Sequence, residues 1–212
     1  MKIGMKLGIA FSVVTALLIL VIYMGINTAS TLNEAVQLLA KDRFPKTVWA
    51  NNIIDLVNEG ARALRNALLT DDPKVRDEQI ERTKATTPKV AMNLDSLTRT
   101  IKNEKGIKIL NAMKEARDKY VKERETVFIL IMENKKKQAT DFLFTTLRNE
   151  QNDFLDKIDE LIDYQSELFN QSSIEAEETY NSQFTLLIVL GLIAVLLAII
   201  LAVIVTRGIT NL

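Results

Sequence analysis

Apolar residues recur along most of the chain at steps of three and four, the spacing that keeps one face of an α-helix dry. Ile53, Val57, Ala61, Leu64 and Leu68 follow it, and so do Leu147, Phe154, Ile158, Leu161 and Leu168. The pattern lapses at three places. Thr70 to Pro73 joins a capping aspartate to a proline suited to a first helical turn. Lys102 to Gly106 is charged and ends in glycine, and Glu133 to Gln138 is a polar run between apolar patterns. Three breaks delimit four helices, over roughly 27–70, 74–101, 107–133 and 138–183. Pro45 and Pro88 fall inside two of them and are expected to bend or interrupt the backbone, because proline lacks a donor and crowds the preceding turn. Four stripes of this kind bury one another in an antiparallel up-down-up-down four-helix bundle, an all-α fold that needs no sheet. Helices of this length would reach roughly 60 Å at 1.5 Å per residue.

Periodicity disappears at the two ends, where charged positions vanish. Phe184 to Thr206 holds 23 residues without a charge, and Leu7 to Ile26 holds 20. Each covers the roughly 30 Å hydrocarbon core of a bilayer as a helix. A basic start followed by an apolar run also describes a signal peptide, but this run is longer than an h-region and the helical pattern continues past it. Both are read as transmembrane helices. The bundle lies between them, over 27–183, with 1–6 before the first span at 7–26 and 207–212 after the second at 184–206. Lys2 and Lys6 flank one span and Arg207 the other, which by the positive-inside rule places both termini in the cytoplasm. The short tail after Thr206 looks like a cut made just inside the membrane.

Composition then narrows the function. With Lys2, Lys6 and Arg207 set aside, the outer segment carries 24 cations against 27 anions, without the basic excess that a nucleic-acid partner requires. The chain contains no Cys and no His. Thiol chemistry is therefore absent, along with the commonest acid/base residue and metal ligand. No constellation for catalysis is found, and neither a metal nor a cofactor is expected.

One cluster suggests recognition. Asn58, Arg62 and Arg65 lie at i, i+4 and i+7 on one face of the first bundle helix, one to two turns below the turn at Thr70 to Pro73. Guanidiniums so placed suit a carboxylate. Residues of the antiparallel fourth helix at the same height are Phe142, Thr145, Thr146 and Arg148, and hydroxyls of Thr145 and Thr146 facing the cations would suit a small anion. The rival reading is that Arg62 and Arg65 sit in surface ion pairs of little worth. Lys135 to Lys137 read as a solvated turn, Trp49 as a packing residue or a membrane-side anchor, and Glu175, Glu177 and Glu178 as a polar collar.

The layout of short basic terminus, span, four-helix bundle, span and Arg207-x-Ile209-Thr210 resembles the input half of bacterial methyl-accepting chemotaxis proteins. Its best local matches are ARALRNALLTDDP at Ala61 to Pro73, RFP at Arg43 to Pro45, and TRGIT at Thr206 to Thr210, which is similar to the start of a HAMP linker. That linker places a proline where this chain has Leu212. The resemblance implies a homodimer in the bacterial inner membrane with a periplasmic sensor. It also implies an amino-acid or carboxylate ligand held by Arg62, Arg65 and a fourth-helix hydroxyl, and output to a chemotaxis kinase and adaptor through cytoplasmic domains. Alternatives from other classes are the input of a sensor histidine kinase or cyclic-nucleotide enzyme, a sensor that reads an occupied binding protein, and a ligand-free spacer or docking bundle.

Overall fold

The computed structural model describes residues 3–210. The Lys2 flank and the Leu212 position of the linker comparison lie outside the described residues. Every regular element among those described is helical: α1 Ile3–Leu38, α2 Phe44–Leu69, α3 Pro73–Thr100, α4 Glu104–Met132, α5 Lys136–Phe142 and α6 Arg148–Thr210. Two wide π turns, Leu39–Arg43 and Leu143–Leu147, join α1 to α2 and α5 to α6. Two compact units result, Ala40–Asn170 and the paired stretches Met1–Leu39 and Gln171–Leu212, and α6 contributes to both.

The first unit is the four-helix bundle. Its core comes from the stripes read in the sequence: Ile53 and Leu64 on α2, Leu97 on α3, Met113 and Val127 on α4, and Phe154, Ile158 and Leu161 on α6 are all sealed from solvent. Trp49, partly buried, packs against this core. At Gly60 the backbones of α2 and α3 approach closely, and the buried Thr83 hydroxyl donates to the Gly60 carbonyl at 3.2 Å.

The turns have local causes. Asp72 accepts from the Lys74 amide at 2.8 Å and caps α3, with Pro73 as its first residue. Asn134 takes a positive φ of 57° in the α4–α5 turn, a conformation that asparagine tolerates better than most residues. Lys136 on the far side of that turn pairs with Asp71 at 2.9 Å, and the ammonium holds the Asp71 carboxyl below its ordinary range.

Three elements differ from the sequence reading. The fourth bundle helix starts at Lys136 and takes a wide turn at Leu143–Leu147. Pro45 does mark an interruption, standing in the first turn of α2 directly after the π turn Leu39–Arg43, where its missing N–H costs nothing, whereas Pro88 lies inside an unbroken α3 on an exposed position. Finally, α4 begins at Glu104 and takes Gly106 into its first turn, because Asn103 caps it: the Asn103 side chain accepts from the Gly106 amide at 2.7 Å and from the Tyr164 hydroxyl at 2.7 Å. A Cβ on Gly106 would meet Ile101 Cγ2 at 2.7 Å and Asn103 Oδ1 at 2.8 Å. Gly106→Ala is therefore expected to destabilise the protein by about 1–3 kcal/mol, read as a lower denaturation midpoint of the detergent-solubilised chain. An unchanged midpoint would mean that the cap yields freely.

In the second unit α1 lies antiparallel beside the later part of α6. Leu7, Ala10 and Val14 face Ala198, Ala202 and Val205 at one end, and Thr31 and Ala35 face Ala176 and Thr179 at the other. Small residues let the two backbones come close. Both helices are long and apolar enough to cross a membrane, and their apolar windows are not buried within the protein.

Candidate functional site

A cleft of about 330 Å³ opens in the bundle between α2, α4 and the π turn that leads into α6. Three helices supply it for reasons of helical angle. On α2, Asn58, Ala61 and Arg65 fall at i, i+3 and i+7, one strip of surface bordering the core stripe. On the opposite wall Phe144, Arg148, Gln151 and Leu155 follow the same rule, and Asn152 lies beside them. The floor is the buried ring of Tyr120 from α4, stacked on Phe154 with centroids 6.0 Å apart.

The polar groups here are uncommitted. Among the described residues neither Arg65 nor Arg148 forms an ion pair or a side-chain hydrogen bond, and the amides of Asn58, Gln151 and Asn152 form no side-chain hydrogen bond. Elsewhere on the bundle exposed cations pair readily, as Arg82 does with Glu59 at 3.0 Å and Lys105 with Glu167 at 3.2 Å. Burial pushes the Tyr120 phenol above its ordinary value, against the pull of the Arg124 and Arg65 guanidiniums. It is thus a neutral donor throughout the physiological range.

Of the residues singled out in the sequence, Asn58 and Arg65 line this cleft together. Arg62, Thr145 and Thr146 do not. Arg62 is exposed and turned past the α2 strip, with no ion pair among the described residues. Thr145 is exposed and its hydroxyl donates to its own helix, at the Asp141 carbonyl, 2.6 Å away. Thr146 is half-buried on the same wide turn. All three have the right height; what separates them from the cleft is azimuth, which height does not fix. Arg148, Gln151, Asn152 and Tyr120 enter the site without having been chosen for it. Arg148 stood at the matching level, and the two amides follow from it at i+3 and i+4, whereas Tyr120 reads in sequence as one more core position. No group of three or more potential metal-ligating side chains occurs among the described residues.

A family model described as the four helix bundle sensory module for signal transduction matches residues 1–180. The chain belongs to this family. The match covers the first apolar run and the compact bundle unit and agrees with the chemoreceptor resemblance read from RFP and ARALRNALLTDDP. No curated protein matches the chain. The family is defined by sensing and not by catalysis, so the four-helix-bundle sensory module needs a recognition surface and a way to report its occupancy. The cleft is a candidate for the first, and α6, which carries one of its walls and continues without a break to Thr210, for the second.

Proposed function

We propose that this sensory module is the input part of a transmembrane chemoreceptor that binds a small organic anion, an amino acid or a carboxylate, in the cleft between α2 and α6. The observation that carries this reading is the placing of two guanidiniums without an ion pair among the described residues, Arg65 and Arg148, on a cleft of about 330 Å³ that apolar side chains and three side-chain amides also line. Arg65 and Arg148 bind the carboxylate by charge-assisted forks, and the amides of Asn58, Gln151 and Asn152 orient the remainder. Apolar contact comes from Phe144, Leu147 and Leu155.

In this reading the chain is a homodimer anchored in the bacterial inner membrane by its two apolar segments, with the bundle outside and both termini in the cytoplasm. Binding acts only through its difference in affinity between two bundle states. A shift of an ångström or so in α6 suffices to carry that difference toward chemotaxis signalling domains, since a helix moves as a body without refolding. A ligand that draws Arg65 and Arg148 together moves α6 directly.

The test is a thermal-shift and calorimetric screen of the full chain in detergent against amino acids, short carboxylates and aromatic acids. One class is expected to raise Tm by mass action. Arg65→Ala and Arg148→Ala should each weaken that ligand by about 10- to 100-fold, from the 1.5–3 kcal/mol typical of a hydrogen bond to a charged group. Arg62→Ala, Thr145→Ala and Thr146→Ala form the comparison set, with less than about twofold change expected. A ligand that loses affinity with Arg62→Ala but not with Arg148→Ala would move the site off this cleft, and a panel without any shift would overturn the small-anion reading.

A further inference from the structure

Arg117 and Arg124 stand seven residues apart on one face of α4, and Arg124 is the one arginine among the described residues that is buried. Each meets a carboxylate only from its chain neighbour. Arg117 reaches Asp118 at 2.9 Å, and Arg124 comes no closer than 3.6 Å to Glu125, both carboxylates being exposed. Among the described residues each leaves its Nε buried and without a hydrogen-bond partner, as Arg43 and Arg76 also do. The Arg124 side chain is only 5% exposed and lies over the faces of Tyr120 and Phe128, 5.8 and 5.7 Å from their centroids. A guanidinium so far removed from water needs compensation, and ring faces supply only part of it.

The two side chains line a cavity of about 10 Å³ between α3 and α4 that Tyr120, Phe154, Thr86 and Thr87 help to close. It has room for one body of about the size of a water molecule. Its polar lining is rich in donors. Thr87 accepts from Arg124 at 2.9 Å through its oxygen, which leaves its own hydrogen to give, while Thr86 already donates to the Thr83 carbonyl at 2.8 Å. No carboxylate lines the cavity. A water placed here would return lone pairs but no charge. A monatomic anion satisfies the guanidinium nitrogens and the Thr87 hydroxyl together and adds negative charge beside Arg124, whose ion pair with Glu125 is long at 3.6 Å.

We propose that Arg117, Arg124 and Thr87 hold a single monatomic anion, chloride by its charge and its demand for donors, in a site separate from the organic-anion cleft, the lining side chains giving way slightly to admit an ion somewhat larger than water. Tyr120 lines both cavities, so the bound halide braces the floor of the cleft from behind.

The experiment follows thermal unfolding of the detergent-solubilised full chain at constant ionic strength while gluconate is replaced stepwise by chloride or bromide. The wild type is expected to show a saturable rise of roughly 3–6 °C between no halide and tenfold above half-saturation. Sulfate, too large for a one-atom cavity, should give none. Arg124→Gln and Arg117→Gln should abolish the rise, and Thr87→Val provides the same reading if Arg124→Gln fails to fold. Arg65→Ala should keep it, which separates this site from the cleft. A wild-type Tm indifferent to halide, or a rise that persists in Arg117→Gln and Thr87→Val, would overturn the proposal in favour of a water or a dry void.

Discussion

Phe154→Ala is expected to cost about 3–5 kcal/mol of unfolding free energy, among the largest losses that any single side chain of the bundle can produce. The ring is 1% exposed, sits at the centre of the α6 core face and stacks on Tyr120. Its removal leaves a hole next to the small cavity that it already helps to wall, so the surrounding helices have little to collapse onto. Denaturant unfolding of the full chain in detergent would show the loss as a shifted midpoint with unchanged slope. Phe154→Leu, which keeps most of the volume, should cost less than half as much. A loss below about 1 kcal/mol for the alanine variant would mean that Tyr120 swings in to fill the space. Ligand affinity should then fall further than stability, because the same ring forms the floor of the cleft.

The second large effect has the opposite sign. Gln165 is 1% exposed on α6, and both polar atoms of its amide are buried without a hydrogen-bond partner among the described residues. An unpaired buried amide costs about 1–3 kcal/mol by mutational measures, and leucine has a similar volume with nothing to satisfy. Gln165→Leu is accordingly expected to raise stability by about that amount, seen as a higher midpoint in the same denaturation experiment. If the variant is instead less stable, the amide is satisfied in the assembled protein, and Gln165 belongs to an interaction that forms only there.

Both variants act on α6, and α6 also shows where the sequence could and could not be read. Its stripe of Phe154, Ile158 and Leu161 is legible because burial and helical period coincide. The capped turn at Asp71 to Pro73 is legible because aspartate and proline each have one physical reason to be there. The cap at Asn103 was hidden by Gly106, which looks like a helix stop and serves as a first-turn residue under a side-chain cap. In the site, Asn58 and Arg65 could be placed by counting along a single helix. Arg148, Gln151 and Asn152 required the azimuth of a second helix relative to the first, and that azimuth passes through a π turn. The turn does leave a trace: Ala139, Leu143 and Leu147 are all buried at successive steps of four, and Gln151 continues them into the cleft. Each step of four overshoots a 3.6-residue turn by about 40°, but the trace is not specific, since Ala116, Tyr120, Arg124 and Phe128 are buried at the same steps in α4, which contains no π turn. Tyr120 leaves no comparable trace, since an aromatic residue in an apolar stripe reads the same whether a cavity lies above it or not.

The wide turn at Leu143–Leu147 has a consequence for how such a site can diversify. Elsewhere in a long helix, losing one codon rotates everything downstream by about 100° and detaches every side chain from its partners. Within this turn, one residue is already in excess of the α repeat. A single-codon deletion there can be absorbed by tightening to ordinary pitch, with Phe154, Ile158 and Leu161 left in place and only the cleft wall around Phe144 and Leu147 redrawn. The gene can thus resize the binding wall in steps of one amino acid without renegotiating the rest of the bundle.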